Sequence, residues 1–233
     1  MSGQTRIGTD RFYQAYDRAG DGTVLARKHI RQFDRDFAAA AGYRPGMSVL
    51  ELGCGNGLFL RYLEHRGVAD FQGVDGDPRV LDAMPDNLRP RVQIADFADF
   101  FAGPAARRTF DRVVLFDVLE HFTPEDAAAL LESIGGLLAA EGRIVVRVPN
   151  VASPFGLNLQ YNDVTHRTAF TPGSLSQVAR AAGFEAVSIG PQAYSSRRRE
   201  FRERLLTGVL TWFLAMPPSV WTPAMIGVLA RKA

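Results

Sequence analysis

The sequence predicts an α/β protein with a doubly wound, mostly parallel sheet of seven strands. Three observations support this fold class. Short apolar segments of strand length alternate with amphipathic helical segments along the chain. A glycine-rich turn at Gly53–Gly57 joins the first strand to the helix that follows it. The length of 233 residues favours one α/β domain with added segments over two complete domains.

The N-terminal region is predicted to be helical. Apolar and aromatic residues recur between positions 9 and 41 at spacings of three and four, which places them on one helical face. The members of this series are Phe12, Tyr13, Tyr16, Ile30, Phe33 and Phe37. Because Arg44, Pro45 and Gly46 interrupt the pattern, we expect an N-terminal helical cap over residues 1–45 and the main domain over residues 46–233.

Strands and helices alternate through the main domain. The predicted strands are 48–52, 71–75, 92–95, 112–116, 143–148, 184–189 and 225–230. The predicted helices are 58–66, 78–83, 124 to about 140, 172–182, and an insertion over about 195–222. Thr123 and Pro124 form a typical helix start. The carboxyl ends of parallel strands meet at one edge of the sheet, where ligands bind.

Composition excludes several other classes of protein. The net charge of +2 does not favour nucleic-acid binding. Cys54 is the single cysteine, so no internal disulfide is possible, and no metal-ligand spacing predicts a metal site. The first residues lack the apolar core of a signal peptide, and a cytoplasmic location is expected. Residues 205–230 are uncharged, but Pro217, Pro218 and Pro223 argue against a membrane-spanning helix.

The turn after the first strand carries the sequence VLELGCGNG. A dinucleotide-binding turn needs GxGxxG, and Leu58 occupies the place of its third glycine. A phosphate-binding P-loop needs GK[ST], which is absent here. Glu51, just before the turn, suits a cationic ligand better than a pyrophosphate.

The segment E-L-G-C-G-N-G resembles motif I of the class I S-adenosylmethionine-dependent methyltransferases. The resemblance extends over residues 48–184 and implies a Rossmann-like sheet. It also implies that Gly53, Cys54, Gly55 and Gly57 line the methionine part of the cofactor. Glu51 then orders the loop or faces the cationic end of the cofactor.

Two further strand ends match the cofactor-binding positions of this family. Asp75 and Gly76 lie in GVDGD after the second strand, where the acid of the family accepts both ribose hydroxyls. Asp77 is a rival, although it could equally cap the next helix. Asp96 and Phe97 follow the third strand and resemble the pair that contacts adenine, with a plain loop acid as the alternative.

The fourth-strand segment FDRVVLFDVLEHF resembles the part of the family that passes under the cofactor. The resemblance places Phe116, Asp117 and Leu119 beneath the cofactor. Tyr13 and Tyr16 either form an aromatic lid over the sulfonium or belong to the helix core. The segment lacks the (N/D)PP(Y/F) motif of methyltransferases that act on nucleobase amines, so base methylation is not expected.

Candidate catalytic residues lie near the fourth and fifth strands. Methyl transfer to a hydroxyl is helped by a general base. His121 could serve between cofactor and acceptor, or could only pack. In the long segment after the fifth strand, His166 is the better base and Asp163 a residue to orient it; the alternative is that His166 only ties the loop to the domain.

The pattern D-x-T-H, followed by F-T-P and A-G-F, resembles methyltransferases of sugar and polysaccharide biosynthesis and related small-molecule O-methyltransferases. The resemblance implies O-methylation of a sugar, a glycan precursor or a related small metabolite, with N-methylation of an amino sugar as the alternative. Other classes remain open at this point: a NAD-binding oxidoreductase, or a cofactor-binding subunit without catalysis.

The segment before the last strand departs from the family pattern. Its basic residues are Arg197, Arg198, Arg199, Arg202 and Arg204. With the apolar residues that follow, residues 197–221 suit peripheral contact with an anionic membrane, a phosphate-bearing or lipid-linked substrate, or a homodimer interface. The alternative is a solvated basic face over a buried helix.

Overall fold

The computed structural model describes residues 24–232, together with residues 12 and 15. Tyr13 and Tyr16 lie outside the described residues, and so does most of the predicted helical region before residue 24. Their role as a lid over the cofactor therefore stays a prediction.

One sheet organises the described part of the chain. Its seven strands follow the order β3-β2-β1-β4-β5-β7-β6, and β7 alone runs antiparallel to its neighbours. The strands are β1 Val49–Leu52, β2 Phe71–Asp75, β3 Val92–Ile94, β4 Phe110–Phe116, β5 Leu138–Pro149, β6 Phe184–Pro191 and β7 Ala224–Arg231. The predicted fold class, a mostly parallel and doubly wound sheet of seven strands, is confirmed.

Helices flank this sheet. The α-helices of the described residues are α1 Arg27–Phe33, α2 Leu58–His65, α3 Phe97–Ala102, α4 Pro124–Gly135, α5 Leu157–Tyr161, α6 Pro172–Ala181 and α7 Arg197–Phe213. A π-helical turn, Asp34–Ala39, continues α1, and 3₁₀ turns include Pro78–Ala83 and Leu119–His121. Among the described helices, none has both the length and the apolar character needed to cross a bilayer.

Two local predictions are wrong. The helix predicted to reach residue 140 ends at Gly135, and β5 already begins at Leu138. The Phe110 N–H donates to the Leu137 carbonyl at 2.7 Å, so pairing with β4 overrides the helical tendency of this short stretch. Helix α3 is absent from the prediction, which interpreted Asp96 only as a binding residue and not as a helix cap.

The N-terminal helix packs directly on the sheet. Phe33 and Phe37 are buried in the same cluster as Phe59 of α2 and Phe116 of β4. The ring centroids of Phe37 and Phe59 lie 5.0 Å apart in an edge-to-face arrangement, which favours aromatic pairs. Residues 27–41 therefore help to hold the first turn of the site in place; the predicted boundary at residue 45 stays a prediction.

The ends of β1, β2, β3, β4 and β5 lie at one edge of the sheet because these strands are parallel. The glycine-rich turn, Asp75, Asp96, Asp117 and Asn150 directly follow or complete these strands. This is the edge at which open α/β sheets bind ligands.

Candidate active site

The turn after β1 needs glycine for its backbone. Gly53, Gly55 and Gly57 have φ of 76°, 50° and 72°, in the left-handed region that residues with a Cβ rarely adopt. The N–H groups of Gly53 and Cys54 both donate to the Val74 carbonyl, at 2.8 and 3.1 Å, which ties the turn to β2. A Cβ on Gly53 would lie 2.6 Å from Val118 Cγ2, so any side chain there displaces the turn.

The same turn leaves room for a ligand. A Cβ placed on Gly55 would meet no atom of the described chain within 4 Å, so this face of the turn is open. Cys54 is buried, and its sulfur packs below the turn against Gly73 of β2. Cys54 therefore offers its backbone, and not its side chain, to a ligand above the turn. The turn fits the close approach that the cofactor requires.

Asp75 is buried at the end of β2. Its carboxylate accepts hydrogen bonds from the Gly55 N–H at 2.8 Å and from the Asp77 N–H at 3.0 Å. Asp75 thus orders both the glycine-rich turn and the turn that begins at Asp77. Gly76, between Asp75 and Asp77, is exposed. Asp77 accepts from the Arg79 N–H at 2.9 Å and pairs with the Arg79 guanidinium. Asp77 therefore caps the 3₁₀ turn Pro78–Ala83, which was the alternative to a role in ribose binding.

Asp96 caps α3, since its Oδ1 accepts from the Asp99 N–H at 2.8 Å. Phe97 is partly buried, and its ring stacks on Phe122 with centroids 6.1 Å apart. Both residues stand at the end of β3, where the sequence places them. The cap holds Asp96 in one orientation, with its backbone at the ligand-binding edge.

Glu51 lies beneath the turn and is 3% exposed. Its Oε2 has no hydrogen-bond partner among the described residues. Burial raises the pKa of Glu51 well above its usual range; the charge of Asp75 adds to this rise, and Arg147 opposes it. Glu51 is therefore a buried acceptor whose charge a cation above the turn would favour.

Arg147 of β5 is the residue that the sequence analysis missed. Its Nε lies 2.9 and 3.0 Å from the two carboxylate oxygens of Asp117, and its Cζ lies 4.7 Å from the ring centroid of Phe116. Asp117 has φ 58°, a left-handed conformation that is uncommon outside glycine. A charged side chain inside the apolar strand RIVVRVP was the signal that could have identified Arg147.

This ion pair fixes the end of β4. The Asp117 N–H also donates to the Arg147 carbonyl at 2.9 Å, so side chain and backbone both tie the two strands together. Leu119, two residues further, is fully buried, and Phe116 is buried against Phe33 and Phe59. These contacts direct the next two residues, Glu120 and His121, towards the loop after β5.

Glu120, His121, Asp163 and His166 meet at this point, and we name them the acid–histidine cluster. His166 Nε2 lies 4.0 Å from Glu120 Oε1 and 3.9 Å from Asp163 Oδ2. The rings of His121 and His166 lie 4.7 Å apart, edge to face. The structure thus brings together all three predicted catalytic residues and Glu120, which the resemblance implies to lie with His121 between cofactor and acceptor.

Backbone hydrogen bonds hold the cluster together. The Glu120 carbonyl accepts from the N–H groups of Arg167 and Thr168, at 2.7 and 3.0 Å, which ties the long loop to the 3₁₀ turn after β4. The side-chain amide of Asn150 donates to the carbonyls of Val220 and Thr222, at 2.8 and 3.2 Å, and anchors the start of that loop.

The hydrogen bonds of the two histidines decide which ring nitrogens carry hydrogen. His166 Nδ1 lies 2.9 Å from the Gln160 carbonyl, which can only accept, so this nitrogen donates. His121 Nδ1 lies 2.9 Å from Thr165 Oγ, whose own hydrogen goes to Asp163 Oδ1 at 2.6 Å. Both Nδ1 atoms are therefore donors, and in the neutral rings both Nε2 atoms keep a lone pair.

Burial dominates the electrostatics of the cluster. Glu120 is 0% exposed, and neither carboxylate oxygen has a hydrogen-bond partner among the described residues. Burial, and next the charge of Asp117, raise the pKa of Glu120 well above its usual range. Burial and the neighbouring His166 lower the pKa of His121 to about 4, so this ring is neutral near pH 7.

Asp163 contacts both histidine segments of the cluster. Burial alone would raise its pKa, but the hydrogen bonds from Thr165 hold that pKa below its usual range. Its 3.9 Å separation from His166 Nε2 is too long for a hydrogen bond. The Gln160 carbonyl engages the His166 ring, and the Asp163 carbonyl accepts from the His166 N–H at 3.3 Å. The Asp163 carboxylate acts on His121 through Thr165, and its predicted role in orienting His166 stays a prediction. No sequence signal pointed to Gln160.

Comparisons with known proteins show the family to which this chain belongs. A family model described as a methyltransferase domain matches residues 25–189. The chain is 29% identical over 209 residues to a ubiquinone biosynthesis O-methyltransferase of Azorhizobium caulinodans, covering 83% of this chain and 79% of that one.

Solved structures of methyltransferases share the fold. One is an S-adenosylmethionine-dependent methyltransferase from Archaeoglobus fulgidus, with TM-score 0.64, 20% identity, and coverage of 87% of this chain and 94% of that one. Another is magnesium protoporphyrin IX methyltransferase from Synechocystis with bound S-adenosylhomocysteine, with TM-score 0.59, 16% identity, and coverage of 95% and 93%. Since the family model spans more than half of the chain, this protein belongs to the methyltransferase domain family and is an S-adenosylmethionine-dependent methyltransferase.

Proposed function

We propose that this methyltransferase acts on a hydroxyl oxygen of a small polar metabolite, with sugars and glycan precursors as the first class of acceptor to test. The observation that carries the proposal is the acid–histidine cluster. It presents the Nε2 lone pair of His166 between two carboxylates at the ligand-binding edge of the sheet.

The cofactor side of the proposed site uses the turn after β1 and the strand ends beside it. The residues proposed to contact S-adenosylmethionine are Glu51, Gly53, Cys54, Gly55, Gly57, Asp75, Gly76, Asp96, Phe97, Phe116, Asp117 and Leu119. The open face at Gly55 and the unpartnered Oε2 of Glu51 support this assignment. Because Asp75 is already bonded to two N–H groups, it binds ribose only with its remaining acceptor capacity.

Bound S-adenosylmethionine supplies an activated methyl group. The protein then has two tasks: it aligns the acceptor oxygen, and it removes the hydroxyl proton. His166 is positioned for the second task, since the Gln160 carbonyl holds Nδ1–H and leaves Nε2 to accept a proton. A positioned base of this kind contributes about 10²- to 10⁴-fold to the rate.

A hydroxyl acceptor suits the cluster better than an amine. A neutral amine already has a nucleophilic lone pair, whereas a hydroxyl is a weak nucleophile until its proton leaves. A cluster that holds the buried Glu120 and the Nε2 atom of His166 side by side suits removal of that proton. The similarity to an O-methyltransferase points the same way. N-methylation of an amino sugar is the alternative that the assay below separates.

The surface of α7 supports a peripheral role for residues 197–221. No residue of this 17-residue helix is buried, and Trp212 is 80% exposed. Exposed apolar residues of the C-terminal half follow a basic N-terminal half, a combination that suits an anionic membrane surface. Co-sedimentation with anionic vesicles tests this contact. A protein that does not bind the vesicles and has the mass of a dimer in solution would favour the homodimer alternative.

The proposed acceptor class is tested with the purified chain, S-adenosylmethionine and matched acceptors that differ only in a hydroxyl or an amine. We expect methyl transfer to oxygen, located by mass spectrometry of the product. The variant His166→Ala should lower turnover, while His65→Ala, in an exposed position of α2, should not. Methylation of the amine alone would replace the proposal by its alternative.

A further inference from the structure

The acid–histidine cluster has the composition of a metal site, although the sequence spacing did not predict one. One ligand atom each from Glu120, His121 and His166 lies within 4.8 Å of the other two. Two of these residues are adjacent at the end of β4, and the third comes from the loop after β5. The three are brought together only by the fold, which is why no short motif contains them.

An independent observation points to a ligand in this cluster. The Glu120 side chain is fully buried, yet among the described residues neither carboxylate oxygen has a hydrogen-bond partner. A buried carboxylate without partners is costly, and folded proteins rarely keep one without a bound ion or water. His166 Nε2 lies 4.0 Å from Glu120 Oε1, which is too far for a hydrogen bond.

The histidines are held in the form that binds metal. The Gln160 carbonyl engages His166 Nδ1, and Thr165, which is bonded to Asp163, engages His121 Nδ1. Metal-bound histidines typically donate their other ring N–H to a carbonyl or a carboxylate in this way, which fixes the ring orientation. With each Nδ1 engaged in this way, Nε2 is the ring atom through which each histidine would bind a metal ion.

We infer that Glu120, His121 and His166 bind a divalent transition-metal ion. Two imidazole nitrogens and one carboxylate suit Mn²⁺, Co²⁺ or Zn²⁺ better than Ca²⁺, which prefers an all-oxygen shell. Ligand atoms of one such ion lie about 3–4 Å apart at metal–ligand distances near 2.1 Å. The ligand atoms lie up to 4.8 Å apart, so these distances must shorten by about 1 Å when the ion binds. Rotation of the Glu120 side chain can provide this movement, because among the described residues no hydrogen bond holds its carboxylate.

The bound ion would make the proposed function more specific. This step rests on the proposed function. Three protein ligands leave a coordination position for the acceptor hydroxyl, whose pKa the ion lowers. The O–H bond breaks and its proton leaves to water. The oxygen electron pair forms the new C–O bond, and the pair of the broken S–C bond stays on sulfur. In the loaded protein His166 is then a metal ligand, and the ion replaces it as the group that activates the hydroxyl.

The experiment is a titration of the full chain, stripped with a chelator, with MnCl₂ and CoCl₂. Calorimetry gives the stoichiometry, and Co²⁺ absorption reports nitrogen and carboxylate ligands. We expect one ion per chain, with affinity about tenfold or more weaker in His121→Ala, His166→Ala and Glu120→Gln. The controls His65→Ala and Glu132→Gln change exposed residues of the same types and should bind as the unaltered chain does.

Affinity for S-adenosylmethionine, measured for each variant, checks that the fold persists, and Glu120→Gln keeps the volume of the side chain. No binding of either ion, or equal binding by all variants, would overturn the inference. O-methylation that persists in stripped protein with no bound ion would overturn the ion's part in activating the hydroxyl and leave His166 as the base. One bound ion without methylation of any hydroxyl acceptor would support the metal site and contradict the proposed function.

Discussion

Two buried carboxylates at the same edge of the sheet differ in what their oxygens contact. Asp75, at the end of β2, accepts from the backbone N–H groups of Gly55 and Asp77 at 2.8 and 3.0 Å. Glu120, just after β4, has no hydrogen-bond partner for either carboxylate oxygen among the described residues. Both side chains are almost completely buried, so exposure to solvent does not explain the difference.

The difference separates a region that supplies its own hydrogen-bond donors from one that we propose a bound ion to complete. Around Asp75 the protein supplies its own hydrogen-bond donors, and the turn that receives the cofactor is preorganised. Around Glu120 the described residues supply no hydrogen-bond donor that would offset the cost of burying the carboxylate. Cofactor binding and acceptor chemistry should therefore respond separately to mutation, and the following predictions test that separation from the largest expected effect to the smallest.

The largest effect is expected at His166. The variant His166→Ala should lower turnover by about 10²- to 10⁴-fold, because it removes the Nε2 lone pair from the acceptor side of the site. The affinity for S-adenosylmethionine should stay within about twofold, since the polar side-chain contacts of His166 among the described residues are with Gln160, Glu120 and Asp163, which lie outside the turn after β1. Steady-state kinetics and calorimetry measure the two quantities, with His65→Ala as the control. Full activity of His166→Ala would contradict a role of His166 as the base or as a metal ligand.

The next effect is expected at Asp75. The variant Asp75→Ala should weaken cofactor binding by about 1–3 kcal/mol, the scale for lost charge-assisted hydrogen bonds. It also leaves the Gly55 and Asp77 N–H groups without this acceptor, so the free energy of unfolding should fall as well. Asp82→Ala, in an exposed position of the neighbouring 3₁₀ turn, is the control. Unchanged affinity by calorimetry would remove Asp75 from cofactor binding.

A smaller effect is expected from a pair of glycine variants. Gly55 and Gly46 have φ of 50° and 92°, and a Cβ on either meets no described atom within 4 Å. Alanine should therefore strain both backbones by about 1–2 kcal/mol. Only Gly55→Ala should also weaken S-adenosylmethionine binding, because its Cβ enters the open face of the turn. Equal affinities in the two variants, measured by calorimetry, would mean that this face is not the cofactor site.

The smallest effect concerns the pH dependence of stability through Glu51. The pKa of Glu51 is raised in the folded protein, so the stability that its protonated form contributes is fully present below about pH 4.5 and is lost as pH rises through the folded pKa. Glu51→Gln mimics the neutral form, and its advantage in free energy of unfolding should grow by up to about 1.4 kcal/mol per pH unit in that window.

Denaturant unfolding at pH 5 and pH 8, without cofactor, measures this difference. Glu132→Gln, at an exposed position of α4, is the matched control and should show no such trend. A constant difference between Glu51→Gln and the unaltered chain at both pH values would contradict the raised pKa. Weaker binding of S-adenosylmethionine by Glu51→Gln would add Glu51 to the groups that face the cationic end of the cofactor.

Local signals predicted most of the framework. The strand Phe71–Asp75 was predicted at its observed bounds, because its apolar run is closed on both sides by turn residues. Thr123 caps its helix as predicted, and Thr171 caps α6 in the same way, each accepting from a backbone N–H three residues on. The end of α4 was missed because pairing of Leu138 with Phe110, which lies 28 positions earlier in the sequence, decides it.

The sequence by itself determined the fold class and the cofactor turn, since both depend on contiguous patterns: alternating strands and helices, and glycines at fixed spacing. Only the tertiary structure decided the acceptor side. Thr165 and His121 are 44 positions apart, and the Gln160 carbonyl that orients His166 belongs to the backbone and leaves no trace in residue type. The partners of a buried charge are set by which distant segments pack around it, and that information appears only when the chain has folded.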